Sequence, residues 1–201
     1  MNLYNIFPTT IGMFNLERDL TTEEKEFLNN QERRSNAGNT TSKDNYLLRN
    51  ENLKDLNSFF TESVNKYFAD IYQPKYDVSL YITQSWANYT EQGQWHHKHQ
   101  HPNSFISGVF YVDADITNDR IYFYRDRYDQ IKIIPKEWNI TNSDSWWFEA
   151  GTGRLVLFPS SLTHMVEVKQ HAGTRISLSF NTFLKGTLGE NEQLTELILG
   201  D

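Results

Sequence analysis

The sequence predicts a mostly β protein, an antiparallel sandwich or barrel, with its helices gathered towards the N-terminus. Two observations predict the strands. From Tyr76 onward, short runs rich in β-branched and aromatic residues recur at regular intervals between Gly, Asn, Asp and Pro. Aromatic residues make up 14% of the 201, which suits pleated faces on which rings pack. A third observation confines the helices: the clearest 3.6-residue apolar stripe runs from Leu53 to Ala69. With 38% hydrophobic residues the chain can bury a full core, and one domain over 1–201 is expected. Within it, 1–75 supplies N-terminal strands and supporting helices, 76–184 the β core, and 185–201 a C-terminal tail.

Composition removes several functions. Net charge is −7 with no dense Lys/Arg patch, so the electrostatic footprint of a duplex nucleic-acid binder is missing. The absence of cysteine excludes disulfides, thiolate metal sites, iron–sulfur clusters and thiol nucleophiles. No apolar run approaches a membrane span, and Met1 leads into a mixed stretch with no charged and apolar leader pattern. A cytoplasmic protein is expected.

In chain order, Leu3–Pro8 and Thr9–Phe14 read as short strands about a Pro-marked turn. Thr21-Thr22-Glu23-Glu24 is a helix start, a hydroxyl cap followed by acids that suit the positive end of the helix dipole. Polar residues and Gly38 then read as a loop out to about Asp44. Leu53, Leu56, Phe59/Phe60, Val64, Tyr67/Phe68 and Ile71 form the stripe of a helix that packs across a sheet. Strands follow at Tyr76–Tyr89, Trp95–His101, Phe105–Val112, Arg120–Arg125, Gln130–Ile134, Trp146–Glu149, Arg154–Phe158, Met165–Lys169 and Arg175–Phe183. Arg125-Asp126-Arg127 reads as a solvated hairpin tip, Trp146-Trp147 as core or pocket wall, and Asn191–Leu199 as a short closing helix.

Chemistry concentrates in Gln94-Trp95-His96-His97-Lys98-His99-Gln100-His101, which holds four of the six histidines. Neutral imidazole is the commonest protein ligand for transition metals. Alternate residues of a strand share a face, so His99 and His101 point together, with His97 as a third on that face. A closed site needs a ligand from elsewhere, and His164, after Phe158-Pro159-Ser160-Ser161, is the candidate. Gly93 stands six residues before His99, and Gly153 six before Pro159, with His164 following. This framing resembles the two-part motif of the cupin and double-stranded β-helix barrels, although Pro102 to Ser107 contains no acid where cupins place a glutamate.

Arg175, within Arg175-Ile176-Ser177, narrows the resemblance. It follows His164 by eleven residues, the arrangement of iron(II)/2-oxoglutarate-dependent oxygenases. The match is with a subfamily found in bacteria and marine phages. Its marks appear as Ser85-Trp86-Ala87-Asn88, His99-Gln100-His101-Pro102-Asn103-Ser104, Ser107-Gly108-Val109-Phe110-Tyr111, Leu157-Phe158-Pro159-Ser160 with His164, and Arg175 through Asn181. The resemblance covers roughly residues 80 to 183 and implies a jelly-roll, cupin-like double-stranded β-helix. It implies Fe(II) on His99, His101 and His164, and 2-oxoglutarate as co-substrate with its far carboxylate on Arg175 and Ser177. A guanidinium fork pairs bidentately with a carboxylate, and Ser177 shares the strand face. Asn88 either contacts the co-substrate or satisfies a turn, Asn103 is a candidate support for the histidines, and Tyr111 packs in the barrel.

One departure matters: His101 stands where the family's His-x-Asp/Glu motif has its carboxylate. The third ligand is therefore His101, an acid such as Asp113 or Asp115, or water. The expected partners are a small-molecule co-substrate and an unidentified prime substrate, with a homodimer as the candidate assembly. The competing functions are a cupin-like three-histidine metalloprotein that does not use 2-oxoglutarate, and a non-enzymatic β-sandwich with surface histidines.

Overall fold

The computed structural model describes residues 1–126 and 131–200. The chain opens with β1 (Gly12–Asn15) and α1 (Thr22–Asn29). The Thr21 side chain accepts from the Glu24 amide and Glu24 answers at the Thr21 amide, a reciprocal cap that fixes where α1 begins. The loop expected to lead to Asp44 instead folds into a hairpin, β2 (Arg33–Ser35) and β3 (Thr40–Ser42), with Gly38 at φ 92° in its turn. Two single 3₁₀ turns lead into α2 (Lys54–Tyr72), which ends on Gln73 in the left-handed conformation. Of the expected stripe, Leu56, Phe60, Val64, Tyr67 and Phe68 are buried, whereas Ile71 is exposed near the helix end.

The β region follows as β4 (Val78–Thr90), β5 (His96–His99), β6 (Ile106–Asp113), β7 (Arg120–Tyr124), β8 (Ser145–Glu149), β9 (Arg154–Pro159), β10 (His164–Val166), β11 (Arg175–Leu188) and β12 (Leu197–Leu199). Residues 131–134 form no strand; Gln130, at the start of the strand expected there, lies outside the described residues, as does Arg127 of the expected hairpin tip. β11 runs past the boundary expected at 184, and the tail makes a single 3₁₀ turn and β12, where a helix was expected. Of Leu3–Phe14, only Gly12 onward joins a sheet.

Two antiparallel sheets result, one ordered β1-β9-β6-β11-β4-β3-β2 with β12 beside β11, the other β5-β10-β7-β8. Strand parity divides the large sheet into two faces. Ile176, Leu178 and Phe180 of β11, Ala87 and Tyr89 of β4, Phe110 of β6 and Leu157 of β9 share one core with Phe60 and Val64 of α2. Phe60 stacks on Phe180 at 5.1 Å between ring centroids. The alternate residues face the smaller sheet, and there Tyr111, Val156 and Phe158 meet Ile121 and Phe123 in a second core. The cavity lies between the sheets, beside that second core.

Candidate metal centre

Arg175, Ser177 and Ser179 of β11, Trp86, Asn88 and Thr90 of β4, and Tyr111 of β6 all face this cavity. The polar positions within apolar strands are thus the cavity positions, an alternation β11 spells out as Arg-x-Ser-x-Ser. Across from them, β5 and β10 bring the histidines. His99 pairs directly with His164, while Val166 pairs with His96, so β5 carries one extra residue against β10. That bulge breaks the two-residue alternation and turns His96 into the cavity with His99, in place of the expected His97.

The ligand atoms of His99, His101 and His164 lie within 4.8 Å of one another. His99 Nδ1 donates to the His97 carbonyl at 2.7 Å, and His164 Nδ1 to the Leu162 carbonyl at 3.0 Å. A carbonyl only accepts, so both rings carry their proton on Nδ1 and present Nε2 as a lone pair. His101 Nε2 stands 3.2 Å from His164 Nε2, and its ring stacks on Trp86 at 5.7 Å. Burial holds the imidazoles well below their ordinary pKa of 6.5: His101 is lowered to about 4 and His164 to about 3. Neighbouring rings add to the effect, and burial also lowers His96 and His99. Neutral rings with converging lone pairs are the state a divalent transition metal requires, so this donor set fits such an ion.

Most of the other sequence candidates stand away from this centre. Asp113 and Asp115 are exposed, and neither joins a cluster of converging donors among the described residues. His96, His97 and His99 form a second close set, but it shares His99, whose Nδ1 is already bonded. Asn88 gives Nδ2 to Ser179 Oγ at 3.0 Å and keeps a buried Oδ1 with no partner among the described residues. Asn103 is exposed in a left-handed turn at φ 57° and bonds none of the histidines. Trp146 and Trp147 line no part of the cavity; Trp147 is exposed and carries the Arg120 guanidinium 4.2 Å above its ring.

Arg175, only 4% exposed, donates from Nη1 to Asp119 Oδ1 at 2.9 Å. Sequence reasoning missed Asp119, since nothing in Asp113-Ala114-Asp115-Ile116-Thr117-Asn118-Asp119 sets one acid apart from the others. It also undervalued Tyr111, whose hydroxyl is buried without a partner among the described residues and whose pKa burial drives well above 10. Its parity with Val109, opposite Phe110 and Val112, was the available signal.

Comparison with known proteins identifies the fold. The family described as "Putative 2OG-Fe(II) oxygenase" matches residues 84–181. No curated protein matches the chain. Among solved structures, a 2OG-Fe(II) oxygenase family oxidoreductase from Burkholderia pseudomallei aligns at 10% identity and TM-score 0.56, over 79% of this chain and 74% of its own. HygX from Streptomyces hygroscopicus, with nickel and 2-oxoglutarate bound, aligns at 10% identity and TM-score 0.58, over 87% and 82%. A prolyl hydroxylase from Trichoplax adhaerens, in complex with a hypoxia inducible factor peptide fragment, aligns at 13% identity and TM-score 0.57, over 86% and 83%. At such identities the structural likeness speaks for the fold alone, the double-stranded β-helix. Residues 84–181 thus resemble the family described as putative 2OG-Fe(II) oxygenases, and they do so on the fold of the oxygenases aligned above.

Proposed function

We propose that the protein is an Fe(II)- and 2-oxoglutarate-dependent dioxygenase that uses O2 to hydroxylate a C–H bond of a prime substrate, with one oxygen atom entering the product and the other entering succinate as 2-oxoglutarate loses CO2. The observation that carries this reading is the convergence of three neutral imidazoles and one buried guanidinium on a single cavity. His99, His101 and His164 would hold the metal through Nε2. When bound, iron supplies the oxygen and redox chemistry. Three imidazoles leave the ion its full charge, which strengthens its attraction for an anionic co-substrate compared with a carboxylate-containing ligand set.

The chain's own residues bind and orient. Arg175 has five N–H donors, of which Asp119 engages one, so a fork remains for the far carboxylate of 2-oxoglutarate. Ser177 and the Tyr111 hydroxyl offer further donors beside it. The Asn88 acceptor would repel a carboxylate; co-substrate contact calls for its amide to turn over, with Ser179 then donating to Oδ1. Ile121, Val109 and Phe158 give the cavity an apolar wall that limits water.

Asp119 gives one alternative a foothold, because Arg175 already has a carboxylate partner. In that case the centre is a cupin-like three-histidine site, an isomerase or an oxygenase that does not use 2-oxoglutarate. Succinate release in iron, ascorbate and 2-oxoglutarate separates the two, since slow turnover without prime substrate is expected of the dioxygenase. Succinate from the wild type and none from Arg175→Ala supports the proposal. A stoichiometric metal with no succinate favours the alternative.

A further inference from the structure

Behind Arg175 lies a line of buried polar groups that neither the ligand set nor the direct co-substrate contacts use. Asp119 and Arg175 have side chains only 3% and 4% exposed. The Asp115 amide donates to Asp119 Oδ2 at 2.9 Å, and His171 Nε2 stands 3.7 Å from Asp119 Oδ1, buried and beyond hydrogen-bond reach of any partner among the described residues. On its far side, His171 Nδ1 faces Lys169 Nζ at 3.1 Å. Lys169 is 5% exposed and also donates to the carbonyls of His171 at 2.9 Å and Ala172 at 3.0 Å.

Among the described residues, the three contacts of the ammonium are all neutral acceptors. Because His171 Nδ1 accepts from Lys169, the ring proton sits on Nε2, on the Asp119 side. The order is therefore ammonium, imidazole, carboxylate, guanidinium. Two buried cations thus stand against one buried anion, which leaves one net positive charge behind the Arg175 end of the cavity in a low-dielectric setting. Asp115 is exposed, so water screens its charge. A charge held in such surroundings acts strongly on an incoming anion.

We propose that Asp119 and Lys169, on either side of His171, are positioning residues: Asp119 aims Arg175, and the two together set the single positive charge that makes the cavity prefer an oxoacid ending in a carboxylate. The proposal rests on the co-substrate reading above and adds what tunes its selectivity.

The test compares two ligands on the metal-loaded protein without oxygen, by calorimetry: 2-oxoglutarate, and 2-oxopentanoate, which has the same chain without the far carboxylate. Lys169→Gln keeps a donor but removes the charge. It is expected to weaken 2-oxoglutarate about tenfold and leave 2-oxopentanoate unchanged, and Lys169→Arg is expected to restore the preference. Asp119→Asn keeps an acceptor for Arg175 but removes the negative charge, so it is expected to shift the preference the opposite way, towards 2-oxoglutarate. Equal weakening of both ligands by Lys169→Gln, no weakening, or a same-direction shift in both variants overturns the proposal. If Lys169→Gln does not fold, the Asp119→Asn shift alone decides it. Undiminished 2-oxoglutarate binding by Arg175→Ala would instead overturn the co-substrate reading itself.

Discussion

His164 shows how much a single side chain carries. Its ring faces His99 across the β5–β10 ladder, packs on Phe158 at 4.6 Å and sets Nε2 opposite His101. Replacing it with alanine leaves the other two imidazoles without a closed site. Metal analysis of purified His164→Ala should therefore find well below one equivalent, against one for the wild type. Protonation makes a second prediction. The folded pKa values of His101 and His164, about 4 and 3, lie below the ordinary 6.5. Under acid the unfolded chain binds protons that the fold refuses, so their stabilisation is complete above pH 6.5 and is lost as pH falls from there towards 4 and 3. Urea melts of the chelated protein should thus lose up to about 1.4 kcal/mol per pH unit for each such ring. A flat profile between pH 7.5 and 5 would show the rings to be solvated. At this scale the sequence was legible where spacing carries meaning, as in His99-x-His101 and in Arg175 behind His164. It was silent on Asp119 and His96, because one gained its role from burial in a loop and the other from a bulge.

Among the elements, β11 was the most legible, since its polar and apolar residues alternate with the two faces they serve. Gly108 of β6 shows how tightly that sheet meets α2. A Cβ there would stand 2.2 Å from Phe180 Cζ, in a ring already stacked on Phe60. Gly108→Ala is expected to destabilise by about 1–3 kcal/mol through overpacking, measurable as a lower denaturant midpoint with an unchanged slope. Phe60→Ala removes the ring at the centre of the helix–sheet contact, and should cost about 3–5 kcal/mol. The β2–β3 hairpin was not legible: Arg33-Arg34-Ser35 is polar and exposed, and it becomes a strand because β3 pairs with the rim of β4. The tail misled for a related reason, since β12 has an apolar Leu197-Ile198-Leu199 but owes its conformation to pairing with Gly186–Leu188.

On the scale of the whole molecule, the recurrence of short strands announced two antiparallel sheets, and the motifs picked out strands that line the cavity between them. Local patterning does not encode how the sheets face each other. That distance sets whether His99 and His164, some sixty residues apart in sequence, share an ion, and whether Arg175 looks into the same space. The proposed function requires that the two sheets build one compartment for metal and co-substrate together. Anaerobic calorimetric titration of 2-oxoglutarate into the iron-loaded protein tests it most directly. One binding event per chain is expected, lost when iron is removed and lost again in Arg175→Ala. Iron-independent binding, or binding undiminished by Arg175→Ala, would contradict it.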